Sequence, residues 1–141
     1  MAQKIFINLP VKDLSVSMDF FSKLGFEFNP EFTNESGACM VVSESIFVML
    51  LTETFFQTFT KKEIADTTKV TEVLTALSVD SREAVDALLT LALEAGAEEA
   101  RETQDLGFMY SRAFEDLDGH IWEIFFMDEK AAAESSSPEQ A

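Results

Sequence analysis

The chain carries one series of signals twice. Leu9-Pro10-Val11-Lys12-Asp13 leads into an amphipathic stretch that stops at Leu24-Gly25, and Leu77-Ser78-Val79-Asp80-Ser81 leads into another that stops at Ala95-Gly96. Each stretch is followed by several short strand-like runs. A strand, a helix and three strands repeated in tandem confine the architecture to two copies of one supersecondary unit. With 141 residues, 47% of them hydrophobic, there is enough chain for one compact core or for two small modules sharing a sheet.

Period and punctuation locate the elements. Lys4 to Leu9 alternate, with Ile5, Ile7 and Leu9 on one face and Phe6 and Asn8 on the other. Asp13 is a helix cap, Leu14, Met18 and Phe21 recur at helical spacing, and Gly25 can end the helix in the left-handed region. Strands are predicted over Phe26 to Phe32, Ala38 to Val42 and Ile46 to Leu51. The second copy has a strand from Thr71 to Val79 and a helix from Ser81 to Ala95, with Val85, Leu88, Leu89 and Ala92 on one face. Asp80 as cap and Glu83 three residues on approximate a capping box. Strands over Ala97 to Thr103, Phe108 to Phe114 and His120 to Met127 follow, with Asp116-Leu117-Asp118-Gly119 as the last turn. The divisions are a first module over 1–52, a Phe-rich linker over 53–69, a second module over 70–128 and a disordered tail over 129–141. In the linker, Phe55, Phe56 and Phe59 should bury against the body, a partner subunit or a ligand, because exposed aromatic area is unfavourable.

Charge and cysteine usage exclude several classes of function. The 26 acidic and 10 basic residues leave a formal charge of −16, which repels phosphate backbones and anionic lipid surfaces. Neither nucleic acid nor membrane is an expected partner. No apolar span approaches the roughly 18 to 20 residues of a membrane helix, and the first ten residues lack the pattern of a secretion signal, so a cytoplasmic location is expected. Cys39 is the single cysteine and lies in an apolar run. It should be a buried, inert thiol, and one cysteine supports neither an internal disulfide nor a cysteine-based zinc site.

The duplication resembles the vicinal oxygen chelate superfamily of glyoxalases, bleomycin-resistance proteins and extradiol dioxygenases. The likeness is carried by the two strand-helix-strand-strand-strand units, by Asn8-Leu9-Pro10-Val11-Lys12-Asp13-Leu14, by Phe20-Phe21-x-x-Leu24-Gly25-Phe26 and by Asp116-Leu117-Asp118-Gly119-His120-Ile121-Trp122-Glu123. It covers residues 4 to 128. It implies an α+β fold of two tandem βαβββ modules whose cupped mixed sheets enclose a cavity, with helices outside. It also implies that complete cavities form by pairing modules within one chain or between two, so a homodimer is expected. In metal-using members, first- and fourth-strand side chains of each module hold a divalent ion that polarises the substrate.

Carried onto this chain, those ligand positions are Phe6, Val48, Leu74 and Glu123, and only Glu123 has a strong donor. One carboxylate cannot make a tight transition-metal site, so no cofactor is expected and a divalent metal is disfavoured. His120, three residues before Glu123, falls on the opposite face of the strand. With Asp116 to Gly119 as the turn, Arg112 would lie opposite Glu123 inside the cup and Tyr110 opposite Phe125. On this reading the Arg112 guanidinium takes the electrostatic place of the ion, either as an internal pair or as one that also binds a carboxylate, enol or carbonyl group. Phe6, Asn8, Leu74, Ala76 and Phe125 would line an apolar small-molecule pocket with it. Three roles stay open: a protein that binds or sequesters a ligand without the usual metal; an enzyme of the glyoxalase or dioxygenase type, or a metal-free isomerase, with Glu123 as base and Tyr110 or Arg112 stabilising an enolate; and a dimeric interaction module whose cup is filled by its own phenylalanines.

Overall fold

The computed structural model describes residues 3–130. The tail read as disordered from Ala131 onward lies outside them. The chain divides into two compact units, Met1–Val70 and Thr71–Ala141, and each builds its own mixed sheet.

In the first unit the sheet order is β1 (Ile5–Val11), β4 (Ile46–Thr52), β3 (Gly37–Val41), β2 (Glu27–Asn29), with β1 and β4 parallel and the other neighbours antiparallel. Helix α1 (Leu14–Lys23) starts where Asp13 Oδ1 accepts the Val16 N–H at 3.2 Å. The strand signal holds, but its inner end is further along than the alternation suggests: Leu9 and Val11 are buried and Ile5 is exposed. Leu9 and Val11 share a face with Val48 and Leu50, and α1 presents Leu14, Phe20 and Phe21 to the interior. Full burial of a phenylalanine contributes roughly 2 to 3 kcal/mol, so Phe20 and Phe21, set edge-to-face at 4.9 Å, are major anchors. The stretch read as a linker is not extended. It forms helix α2 (Glu53–Phe56), which packs against β1 and β4 on the face away from α1, and a 3-10 turn over Gln57–Phe59 that packs on α2.

The second unit repeats the plan. Its sheet order is β5 (Leu74–Ser78), β9 (Ile121–Met127), β8 (Met109–Glu115), β6 (Glu98–Glu99), and β7 (Gln104–Asp105) also pairs with β8. Helix α3 (Arg82–Glu94) buries Val85, Leu89 and Ala92 on the sheet face that carries Thr75, Phe114, Trp122 and Ile124. Ser81, not Asp80, caps it: Ser81 Oγ accepts the Ala84 N–H at 3.0 Å. Both long helices end alike. The Gly25 and Gly96 N–H groups donate to Ser22 and Leu93, and the Phe26 and Ala97 N–H groups reach back to Phe21 and Ala92. Gly25 (φ +100°) and Gly96 (φ +108°) supply the left-handed residue that this double bond requires.

Several local features depart from the sequence reading: the strand expected over Phe26 to Phe32 stops at Asn29 and gives way to a 3-10 turn over Pro30–Phe32, and the strand expected over Thr71 to Val79 begins only at Leu74. The strand expected over Ala97 to Thr103 is broken. From Glu99, opposite Phe114, to Gln104, opposite Ser111, the edge advances five residues while β8 advances three, so 100–103 contain a two-residue bulge. The β8–β9 connection also closes one residue tighter than predicted. Asp116 N–H donates to the His120 carbonyl at 2.9 Å, so the loop proper is Leu117-Asp118-Gly119, with Gly119 at φ +87°. The buried Asp116 carboxylate pins it, accepting the Asp118 and His120 N–H groups on Oδ1 and the Trp122 indole N–H on Oδ2. Burial raises the Asp116 pKa from its ordinary value.

Candidate functional site

The tighter loop changes which side chains share a face. Glu123 is opposite Ala113, not Arg112, which is opposite Ile124; Tyr110 is opposite Phe126, not Phe125. Neighbours one residue apart along a strand point to opposite sides. Arg112 and Tyr110 therefore lie on the face that α3 covers, and the proposed Arg112–Glu123 pair does not form. Arg112 instead donates to Asp86 of α3 at 3.0 Å and to Glu99 at 3.0 and 3.1 Å. The Tyr110 hydroxyl donates to Asp86 at 2.7 Å. That bond, with help from Arg112, lowers the Asp86 pKa, and it raises that of Tyr110. His120 is buried just before β9, out of phase with Glu123 as expected.

Glu123 still has a guanidinium partner, on the face free of helix. The bulge turns Arg101 toward that face, where its Nη2 donates to Ser111 Oγ at 2.8 Å and to Glu123 Oε1 at 3.3 Å. Its Nη1 donates to the Glu102 carbonyl at 3.2 Å. The small partners Ala76 and Ala113 flank Glu123 in the ladder. Side-chain exposure is 28% for Arg101 and 26% for Glu123, so the pair is reachable yet partly desolvated. Five guanidinium hydrogens serve three acceptors, which leaves donors to spare. Arg101 was missed because 97–103 reads as one unbroken strand; the available signal is that the chain has only three arginines, all in the second unit.

The other predicted pocket residues are on the sheet faces away from α1 and α3. In the second unit Leu74 and Ala76 are exposed and Phe125 is half-buried, opposite Ser78 and Ser111. In the first, Phe6 stacks on Phe47 with centroids 4.7 Å apart, and Asn8 lines a cavity of about 380 Å3 with Leu51, Phe56, Phe59 and Thr60. Gln57 holds one wall by donating to the Thr60 and Lys62 carbonyls at 3.0 and 2.8 Å. Phe55 and Phe59 meet edge-to-face at 5.1 Å, but Phe59 stays 69% exposed, so the burial expected of these rings is only partial.

A divalent ion does not fit these residues. Phe6 and Leu74 offer no donor atom, and Glu123 is engaged by Arg101. Val48 is turned to the α1 side and fully buried; Met49 occupies the position beside Asn8 on the opposite face. Among the described residues no three His, Cys, Asp or Glu side chains come together. Cys39 is buried, and burial raises its thiol pKa, as expected of an inert cysteine. No helix among the described residues is long and apolar enough to cross a membrane.

Residues 3–43 match the family described as bleomycin resistance protein-like N-terminal. No curated protein matches the chain in sequence. Among solved structures it is similar to a hypothetical protein from S. aureus at 29% identity, with a TM-score of 0.76 over 89% of this chain and 94% of that one. A glyoxalase/bleomycin resistance protein/dioxygenase family enzyme from Burkholderia phytofirmans PsJN shares the fold at 18% identity, with a TM-score of 0.74 over 89% and 99%. A glyoxalase-related enzyme from Fulvimarina pelagi does so at 22%, with a TM-score of 0.73 over 89% and 88%.

Proposed function

We propose that this chain, whose residues 3–43 match the bleomycin resistance protein-like N-terminal family and whose fold is shared with glyoxalase/bleomycin resistance/dioxygenase structures, binds and sequesters a small molecule, with a guanidinium in place of a metal ion. The observation that carries this reading is Arg101 on the helix-free face of the second sheet, held by Ser111 and Glu123 with donors unspent. A carbonyl or enol oxygen accepts from Arg101, and a neighbouring hydroxyl donates to Glu123. The ligand is therefore neutral, with an acceptor and a donor side by side on an apolar body. An anionic ligand is disfavoured because Glu123 already neutralises Arg101 and the whole chain carries −16.

Salicylamide has that pattern and is uncharged near neutral pH, while salicylate is its anionic counterpart. In an amide-resolved NMR titration of the full chain, salicylamide should shift Ser111, Ala113 and Glu123 saturably and bind more tightly than salicylate. Arg101→Met and Glu123→Ala should each weaken it about tenfold, the loss of one charge-assisted hydrogen bond. Binding that neither substitution alters, or no binding at millimolar probe, would refute the proposal.

A further inference from the structure

Arg101 is delivered by a segment with little hold of its own. Ala100 N–H donates to the Ala113 carbonyl at 2.9 Å, but among the described residues no backbone N–H of Arg101, Glu102 or Thr103 is tied to β8. The residues on either side of this gap are gripped from the other face of the sheet. Upstream, Glu99 Oε2 accepts from Arg112 Nε and Nη2 at 3.1 and 3.0 Å. Downstream, Asp105 accepts a two-pronged bond from Arg82 at 2.8 and 2.9 Å and the Gly107 N–H at 3.0 Å. Arg82 also donates to the Gly107 carbonyl and lies 5.0 Å over the Tyr110 ring.

Both grips lead to α3. Arg82 belongs to it, and Arg112 is tied to it through Asp86, one helical turn further on. We infer that Glu99–Arg112 and Asp105–Arg82 act as a two-point clamp on the α3 side that sets the position of Arg101 on the opposite face; these four are positioning residues for the site. The inference rests on the reading of Arg101 as the ligand-holding group. Parity explains the division of labour: Glu99 and Asp105 are paired opposite Phe114 and Tyr110 and point toward α3, and the two extra residues between them free Arg101 to turn the other way. The chain thus commits all three of its arginines to one loop, two holding its ends and one presented by it.

Because exposed ion pairs contribute little to global stability, single substitutions should leave the fold intact. Three arginines give three side-chain Nε–H signals, so 15N relaxation of Arg101 can be followed in the full chain. Arg82→Gln and Glu99→Gln, singly and together, should lower the Arg101 order parameter from a backbone-like value of about 0.8 to below about 0.6 in the double variant. They should also weaken salicylamide about tenfold, an effect that disappears in the Arg101→Met background. Arg82→Asp with Asp105→Arg should restore both. An Arg101 signal as ordered in the double variant as in the parent would overturn the clamp. An ordered signal that loosens on substitution, in a protein that never binds salicylamide, would overturn only the ligand reading.

Discussion

Asp105 titrates at about 2 instead of the ordinary 3.8, first because of its two-pronged bond from Arg82 and then because of the Gly107 N–H. A carboxyl with a depressed folded-state pKa contributes stability that is present above its unfolded value and lost as pH falls through the folded one. The window is therefore from about 3.8 down to about 2. Asp105→Asn should have a flatter dependence of the urea midpoint on pH across that window than the parent; identical slopes would mean that the bond does not persist in solution. At this scale Glu123 was legible, because one acid in an apolar strand needs a partner. Its partner was not. One residue of loop length, with three bonds to the Asp116 carboxylate, put Arg112 on the other face, and the bulge over 100–103 brought Arg101 in its place; no pattern in the sequence displays either.

Helix ends were the most readable elements. Glycine at 25 and 96 signals left-handed closure, and both helices close with the same pair of reaching-back bonds. The start of α3 was less readable, because Asp80 and Ser81 are both good caps and only backbone geometry separates them. Ser81→Ala should cost about 1 kcal/mol in urea denaturation, with Asp80→Ala costing no more than a few tenths; equal losses would contradict the observed bond to Ala84. Strand ends fared worse. The bulge over 100–103 leaves the alternation of 97–105 plausible as one strand, since an inserted pair of residues restores the period of two on its far side.

For the whole molecule, a formal charge of −16 sets long-range repulsion against a few surface ion pairs. Raising sodium chloride from about 0.01 M to about 0.15 M shortens the screening length from roughly 30 Å to roughly 8 Å and weakens repulsion more than it weakens the short pairs. The thermal midpoint should therefore rise over that range; a steady fall would show that the pairs dominate.

The sequence by itself determined the two-module α+β plan and the boundaries of the two long helices to within a residue, because hydrophobic period and glycine placement are local properties. Tertiary structure alone decided that Arg101 meets Glu123, that Arg112 and Tyr110 face α3, and that 53–59 fold back on the first sheet. Each of those outcomes depends on register or on packing between segments distant in the chain, and a shift of a single residue in a strand exchanges the two faces.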